Sequence, residues 1–215
     1  MPAATLLLTR LRSETHTLLA DDNQLHDLGV YALIAGLARR RDRPVTSSWE
    51  DWEGLRRISL GGNDIGDKGT IALLRDASRQ GGELETLMSL GLQHNRIKLR
   101  ERTAEEIVGY LNASRLIELN FASNPLNPRG IVKFFEGLTA PIQAIDLCDC
   151  DLTEAVLGED GVIAIVQAVE RRNFTITTLD LEGNASVEDM GGEFEYLDLW
   201  NDTDLGGGAL APQGH

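Results

Sequence analysis

Residues Leu55–Ile65 read LRRISLGGNDI, and the order of apolar and polar positions in this stretch decides the fold. The stretch fits the template L-x-x-L-x-L-x-x-N-x-L, where x stands for any residue. Apolar residues that alternate at its fourth and sixth positions are typical of a short strand with one buried face. The asparagine that follows, Asn63, can bond backbone groups of a tight turn where water cannot reach them. The stretch therefore predicts a strand that ends in a sharp turn.

The same template returns along the chain, so the sequence contains an internal repeat. Six residues fill its polar position, and we call them the ladder: Asn23, Asn63, Asn95, Asn124, Cys150 and Asn184. Successive ladder residues are separated by 40, 32, 29, 26 and 34 residues. Cys150 replaces asparagine as a small buried residue with a weak donor. Because each copy is one strand and its connection, the copies predict parallel strands stacked along a solenoid.

Helical patterns separate the predicted strands. Gly29, Gly69 and Gly130 each lie six residues after a ladder asparagine, and apolar residues at helical spacing follow each of them. The pair Asn127–Pro128 offers an N-cap followed by a proline at the first helical position. The stretch Thr103–Glu106 fits a capping box and predicts a helix that starts at the threonine.

The six copies resemble the leucine-rich repeat family. A full helix after each strand is similar to the ribonuclease-inhibitor-like subclass, which includes the Ran GTPase-activating proteins. The resemblance implies an α/β solenoid shaped as a horseshoe, with parallel strands on the concave face and helices on the convex face. It also implies a protein–protein interaction scaffold, because solenoids offer broad curved surfaces and seldom an enclosed catalytic pocket.

The ends of the repeat pattern and its long spacings divide the chain. Residues 1–14 are predicted to cap the first repeat, and residues 15–190 to form the leucine-rich repeat domain. Residues 191–215 are predicted to form an acidic, Gly-rich tail that could hold a degenerate seventh repeat. The two long spacings predict insertions near residues 39–54 and 153–160.

The first insertion carries two tryptophans and a cluster of arginines. Trp49 and Trp52 are candidate partner-binding residues in this loop, because aromatic residues often anchor interfaces. Packing of both indoles back onto the solenoid is the other reading, and both stay open. The stretch Arg39–Arg43 either ends a solvated helix, where cations offset the helix dipole, or directs the protein to the nucleus.

Charge is distributed unevenly along the chain, whose formal net charge is −14. Residues 1–144 hold 18 acidic and 18 basic side chains, whereas residues 145–215 hold 16 acidic and 2 basic ones. Nucleic acid is not an expected partner, because phosphate binding needs clustered cations. No apolar run approaches the ~20 residues of a membrane helix, and the first residues do not resemble a secretory signal. The sequence therefore predicts a cytoplasmic protein, with a nuclear location open, and no membrane partner.

The positions on either side of each buried strand residue face the concave surface. Seven side chains at these positions are predicted to bind the partner: Arg57, Ser59, Glu118, Asn120, Asp146, Asp180 and Glu182. The acidic members belong to later repeats, so we expect four carboxylates to lie together: Glu118, Asp146, Asp180 and Glu182. Carboxylates on one surface attract cations, which predicts a partner protein with a basic surface.

No group of residues in the sequence fits a catalytic, metal or cofactor site. Cys148 and Cys150 form only half of a four-ligand zinc site. The loop Asp149–Asp160 lacks the glycine and the glutamate that a calcium loop needs. None of the four histidines belongs to a catalytic triad that the sequence supports. We therefore expect a binding protein that is not an enzyme and holds no metal or cofactor.

Two alternative functions stay open. The resemblance to the Ran GTPase-activating proteins implies regulation of a small GTPase, for which an arginine that reaches the nucleotide is the natural requirement. An acidic concave face also suits an inhibitor of a basic protein ligand. Ribonuclease inhibitors are cysteine-rich, however, and this chain has two cysteines.

Overall fold

A computed structural model describes residues 15–41, 54–152, 165, 167, 169 and 175–184. Its strands are three residues long and form one parallel sheet, in which they follow each other in chain order. They are β1 (Thr17–Leu19), β2 (Arg57–Ser59), β3 (Ser89–Gly91), β4 (Glu118–Asn120), β5 (Ala144–Asp146) and β6 (Thr178–Asp180). One strand stands at each of the six copies of the template, so the predicted stack of parallel strands is confirmed.

Helices alternate with these strands along the chain. Those whose bounds fall within the described residues are α1 (His26–Arg41), α2 (Asp67–Ser78), α3 (Glu101–Leu111) and α4 (Pro128–Gly137). Each of these helices contacts the next, so together they form a second layer beside the sheet. This arrangement confirms the predicted fold class, an α/β solenoid with strands on one side and helices on the other.

Each strand directs its middle side chain into the core and its two neighbours onto the open face of the sheet. The register aligns the middle residues, and all of them are buried: Leu18, Ile58, Leu90, Leu119, Ile145 and Leu179. Leucine, isoleucine and valine supply most of the buried side chains between the sheet and the helices. The leucine template thus describes a core that is repeated once per strand.

Three phenylalanines enlarge the core beside the fourth strand. Phe121 follows β4, and Phe134 and Phe135 belong to α4; all three are fully buried. The ring centroids of Phe121 and Phe134 are 6.4 Å apart, and those of Phe134 and Phe135 are 5.3 Å apart. Both pairs meet edge to face, a favourable geometry for aromatic rings. This cluster ties β4 to the helix that follows it.

Glycine near the start of a helix lets that helix approach the preceding repeat. A Cβ atom on Gly130 would collide with the carbonyl oxygen of Leu99. One on Gly69 would lie 2.6 Å from a carboxylate oxygen of Asp27, closer than a real Cβ atom comes to another heavy atom. Gly69 and Gly130 therefore serve close packing between repeats, whereas a Cβ atom on Gly29 would meet Leu25 of its own repeat.

The helix start predicted at Asn127–Pro128 is confirmed. The Asn127 side chain accepts a hydrogen bond from the Gly130 N–H at 3.0 Å, and Pro128 is the first residue of α4. Proline is well suited to this position, because the N–H that it lacks would have no partner within the helix.

The helix start predicted at Thr103 is wrong. Helix α3 begins at Glu101, with Arg100 as its N-cap residue and no side-chain cap. The Thr103 hydroxyl instead donates to Asp67 of the preceding helix at 3.3 Å, and the same aspartate accepts from the Lys98 N–H at 2.8 Å. The start of α3 is therefore bonded from the neighbouring repeat, which a local capping pattern does not include.

Some predictions concern residues outside the described part of the chain. These are the cap at 1–14, most of the insertion near 39–54 with Trp49 and Trp52, the insertion near 153–160, and the tail at 191–215. Helix α1 ends at Arg41, which agrees with the interpretation of the arginine cluster as a helix end, and the insertion near 39–54 stays a prediction. Within the described ranges, no helix is long and apolar enough to cross a membrane.

Candidate functional site

The buried ladder residues join each repeat to the one before it. Asn95 donates its Nδ2 to the Leu60 carbonyl at 2.9 Å, and its Oδ1 accepts from the N–H groups of Asn63 and Ile65 at 3.0 and 2.9 Å. Bonds of the same kind to their preceding repeats are made by Asn63, Asn124 and Asn184. These side chains are buried, so the amides satisfy backbone groups that water does not reach.

Asn23 differs from the other ladder asparagines because its side chain is exposed. Its Nδ2 donates to the Asp21 carbonyl of its own turn at 2.7 Å. Strand β1 is the first strand of the described sheet, so no described strand before it offers a carbonyl. The expectation of a buried amide is therefore wrong at this one ladder position.

A groove of about 450 Å³ crosses the open face of the sheet from β1 to β6. Six of the predicted partner-binding residues line it: Arg57, Ser59, Glu118, Asn120, Asp146 and Asp180. Glu182 does not line the groove and lies exposed in the turn after β6. The groove is also lined by residues that the sequence prediction left out, among them Leu19, Gly91 and Gln93. They occupy the same positions beside buried strand residues, but the prediction favoured charged and strongly polar side chains.

Glu118 forms an ion pair with the arginine of the groove. Nη2 of Arg57 lies 3.4 Å from Oε2 of Glu118, and the pair spans β3 because its members belong to β2 and β4. The register aligns Glu118 with Ala144, whereas Asp146 is aligned with Asn120. Glu118 therefore stands in a different row from Asp146 and Asp180 and has a cation beside it, and the expected group of four carboxylates stays a prediction.

The last residues of the strands form a row on the open face, which we call the exposed row: Leu19, Ser59, Gly91, Asn120, Asp146 and Asp180. In its last three members the side chain accepts the N–H two residues further on, at 2.9, 3.0 and 3.0 Å. Asn120 also donates its Nδ2 to Oδ2 of Asp146 at 2.7 Å. These bonds hold the side chains at the groove. In the sequence, these bonds are indicated by an Asn or Asp at the last strand position, two residues before the turn that follows the strand.

A family model described as Leucine Rich repeat matches residues 55–74 and 172–194. These two segments of the chain are therefore similar to leucine-rich repeats. The two matched segments contain β2 and β6, and between these strands the same hydrogen-bonded pattern repeats.

Two curated relatives of these leucine-rich repeats are ribonuclease inhibitors. The one from Sus scrofa is 26% identical over 184 residues, which cover 76% of this chain and 38% of that protein. The one from Mus musculus is 29% identical over 147 residues, which cover 65% of this chain and 28% of that protein. The chain therefore spans well under half the length of these relatives. Among solved structures, the tropomodulin C-terminal domain of Caenorhabditis elegans is similar with a TM-score of 0.46 at 10% identity, covering 79% of this chain and 91% of that one.

Cys150 interrupts the asparagine ladder of the leucine-rich repeats. Its buried Sγ donates to the Phe121 carbonyl at 3.3 Å, but a thiol offers no amide oxygen to the preceding turn. The Leu126 N–H therefore bonds the nearby carbonyl of Asn124 at 2.7 Å. One repeat earlier, the equivalent N–H of Ile97 bonds Oδ1 of Asn124 at 3.0 Å. The repeat that contains Cys150 thus supports its predecessor with fewer hydrogen bonds than an asparagine would supply.

Both cysteines are free thiols that burial holds in the protonated form. Burial raises the pKa of Cys150 to about 11. Burial raises the pKa of Cys148 further, and hydrogen bonds to Asp180 and Asp146 act in the same direction. Because the thiolate is the nucleophilic form of cysteine, neither thiol is a candidate nucleophile at neutral pH.

Asp146, Cys148 and Asp180 stand close enough to share one cation, with ligand atoms within 4.8 Å of one another. All three residues are half-buried. A cysteine binds a metal ion in its deprotonated thiolate form. Hydrogen bonds to the two carboxylates instead favour the protonated form of Cys148, which donates to them. The arrangement favours a protonated thiol between two carboxylates. The absence of a metal stays a prediction, and metal analysis of the purified protein tests it.

A second ladder, which the sequence prediction missed, joins successive helices. Asp27 of α1 accepts from the N–H groups of Gly66 and Gly69 at 2.8 and 3.0 Å. Asp67 of α2 accepts from the Lys98 N–H of the next repeat at 2.8 Å. Each aspartate lies four residues after a ladder asparagine, and that spacing is the signal by which it could have been found.

Proposed function

We propose that this protein binds another protein through the concave face of its sheet. The observation that carries the proposal is the groove on that face, which is lined by side chains from all six strands. The leucine-rich repeat match and the ribonuclease inhibitor relatives support a protein-binding scaffold. Because the groove is wide and open, it suits a protein surface better than an enclosed small molecule.

The charge of the groove favours a partner that is basic where it contacts β5 and β6. Among the described residues, no lysine or arginine forms an ion pair with Asp146, Asp180 or Glu182. Residues 145–215 also carry the whole acidic excess of the chain. Converging carboxylates raise the local potential and steer cationic surfaces towards them.

Affinity capture from a cell extract tests the proposal when the parent protein is compared with the double variant Asp146→Asn, Asp180→Asn. We expect the parent to retain basic proteins at low salt, and the variant to retain less of them, because exposed charges act through a field that salt screens. The matched control is Glu101→Gln, Glu105→Gln, which removes two charges from the exposed side of α3 and should behave like the parent. Equal retention by all three proteins would contradict the proposal and make Trp49 and Trp52 the next residues to test.

Inhibition of a basic protein ligand is the finer form of this proposal. It is supported by the two relatives that are ribonuclease inhibitors and by the net charge of −14. Titration of the protein into a basic ribonuclease, with RNA hydrolysis as the readout, tests it. A rate that falls with the parent and falls less with the Asp146→Asn, Asp180→Asn variant would support it. An unchanged rate at a large excess of the parent would exclude that ribonuclease as the ligand.

Regulation of a small GTPase is the alternative function. Direct activation would need an arginine that reaches the bound nucleotide. Arg57 is the arginine that lines the described groove, and its ion pair with Glu118 competes with such a role. GTP hydrolysis by a panel of small GTPases separates the two functions, since acceleration that Arg57→Ala abolishes would favour GTPase regulation over inhibition.

We propose a cytoplasmic location, with a nuclear one as the alternative. Two free thiols suit a reducing compartment. Fluorescence microscopy of a tagged chain distinguishes the two compartments, and the same experiment with Arg39–Arg41 changed to glutamine tests whether the arginine cluster directs the chain to the nucleus.

A further inference from the structure

The two ends of the groove differ in chemistry. At the β1 end, Leu19 is apolar and 68% exposed. At the β6 end, Asp146 and Asp180 are aligned on neighbouring strands. Between the two ends, the exposed row holds Ser59, whose side chain is small, and Gly91, which has no side chain. A single partner segment that follows the groove would meet an apolar side chain at one end and carboxylates at the other.

The strands cannot offer their backbone to a partner inside this groove. Strands β2 to β5 are each paired in parallel with a neighbour on both sides. Their backbone donors and acceptors are engaged within the sheet, and a partner adds as a further strand only at an edge. Recognition within the groove therefore relies on side chains.

The position of a partner cation along the groove is restricted by the charges already there. Arg57 pairs with Glu118 at 3.4 Å across β3, so this part of the groove already holds a cation and repels a second one. Asp146 and Asp180 lie side by side, and like charges on neighbouring strands are unfavourable. No lysine or arginine in residues 15–41, 54–152 and 175–184 forms an ion pair with either aspartate. A cation from a partner would therefore gain most at the β5–β6 end.

We propose that the groove takes an extended segment of the partner, which lies across the strands with an apolar side chain against Leu19 and an arginine against the carboxylates of Asp146 and Asp180. The Cys148 thiol lies within 4.8 Å of both carboxylates, so the arginine contacts them from the groove and does not replace the thiol. This inference rests on the proposed function. A guanidinium suits the second position because its planar set of donors can bond two carboxylates at once.

The spacing of the strands sets the length of that segment. Neighbouring strands stand ~4.8 Å apart, so the steps from β1 to β6 cover ~24 Å. The arginine contacts both β5 and β6, about 22 Å from β1, and an extended chain advances ~3.3 Å per residue. The apolar side chain and the arginine are therefore about six residues apart, an even separation that keeps both on the same face of the segment. The partner segment should therefore carry an apolar residue and an arginine at this separation. A selection experiment tests whether peptides that bind the chain share this pattern.

A phage-displayed library of random peptides, selected on the full chain, tests the inference. We expect the enriched peptides to share an apolar residue about six positions from an arginine or lysine. The Kd of a synthetic enriched peptide is then measured for the parent, Leu19→Ser, Asp180→Asn and the control Glu105→Gln. The first two variants should raise the Kd about threefold to tenfold, and the control should leave it unchanged.

Charge exchange separates a direct contact at Asp180 from an indirect effect. Asp180→Lys should abolish binding of the enriched peptide, and replacing the arginine of the peptide by glutamate should restore binding to this variant. Thermal unfolding followed by circular dichroism tests whether each variant is folded. We expect all of them to fold, because the changed groove side chains are exposed or half-buried.

Three results would overturn the inference: enriched peptides without the pattern, no enrichment over the double variant Leu19→Ser, Asp180→Lys, or a charge exchange that restores nothing. The capture experiment described above distinguishes failure of this inference from failure of the proposed function. Captured proteins that still depend on Asp146 and Asp180 would leave the proposed function standing, with a folded basic surface as the occupant of the concave face. Captured proteins that ignore both aspartates would count against the proposed function itself.

Discussion

Two rows of residues, the ladder and the exposed row, run from repeat to repeat four positions apart, and they differ in burial. Asn124 of the ladder is 1% exposed and bonds backbone groups of the preceding repeat. Asn120 of the exposed row lies half-buried at the groove and bonds its own turn and the neighbouring side chain. The same residue type thus joins repeats in one row and lines a surface in the other.

Burial determines what each row contributes to the free energy of unfolding. A buried backbone group that loses its only partner costs about 1–3 kcal/mol. The side chains of the exposed row are half-buried or exposed at an open groove, where water can replace a lost side chain. Removal of one of them should therefore change stability by about 0.5 kcal/mol or less. The ladder is therefore constrained by the fold, whereas the exposed row can vary with the partner.

The largest effect expected of an alanine substitution is that of Asn95→Ala. This change leaves the N–H groups of Asn63 and Ile65 and the Leu60 carbonyl without their side-chain partner, so we expect the free energy of unfolding to fall by about 1–3 kcal/mol. Urea denaturation followed by circular dichroism measures it. The control is Asn120→Ala in the exposed row, which should stay close to the parent. Equal midpoints for Asn95→Ala and the parent would refute the contrast between the rows.

A gain in stability is expected from Cys150→Asn. An asparagine here would give the Leu126 N–H the Oδ1 acceptor that the Ile97 N–H has one repeat earlier, worth about 1 kcal/mol. The same urea experiment tests this, with Cys150→Ala as the control that removes the thiol and adds no acceptor. A Cys150→Asn protein that is less stable than the parent would show that the repeat is shaped for the thiol.

The advantage of Cys150→Asn should grow with pH. Burial raises the pKa of the folded thiol from its ordinary value of 9.0 to about 11, so the folded state binds more protons than the unfolded state between these values. Stability from this group is present below pH 9 and is lost as the pH rises towards 11. We expect the difference in urea midpoint between variant and parent to widen from pH 8 to pH 10.5, values that bracket the lower part of this window. A constant difference would contradict the pKa shift.

The smallest effect on stability is expected from Asp146→Asn, Asp180→Asn. Both side chains are half-buried at the groove, and removing two like charges on neighbouring strands offsets any lost hydrogen bond, so the change should stay within about 0.5 kcal/mol. The matched exchange in the ladder, Asn124→Asp, should be strongly destabilising, because a carboxylate cannot donate to the Leu92 and Phe121 carbonyls. Thermal unfolding of both variants compares them. A similar loss in both would remove the distinction between the rows.

The sequence pattern predicts those features that a single repeat determines. The position of β2, the burial of Ile58 and the turn at Asn63 follow from one copy of the template, because alternation and turn chemistry are local. The N-cap at Asn127 follows from local chemistry in the same way.

The features that the sequence did not predict depend on contacts between repeats. The start of α3 is set by Asp67 of the preceding repeat, and the Arg57–Glu118 pair crosses β3. The exposed amide of Asn23 follows from its place in the turn after the first strand of the described sheet. The bonded residues in these contacts are 31 to 61 positions apart in the sequence. A short stretch of sequence therefore never contains both partners.

The hydrogen bonds of the ladder give the solenoid a direction. Each buried asparagine points back, so a repeat supplies the acceptor for its predecessor and takes its own from its successor. Duplication of the whole unit from Asn63 to Asn95 would preserve every such bond at both junctions, whereas a duplicated fragment would leave one junction without its amide. If the repeat that carries Cys150 were copied, the new junction would also lack the amide acceptor. Growth of such a chain by tandem copying is therefore favoured at the asparagine repeats and penalised at the cysteine repeat.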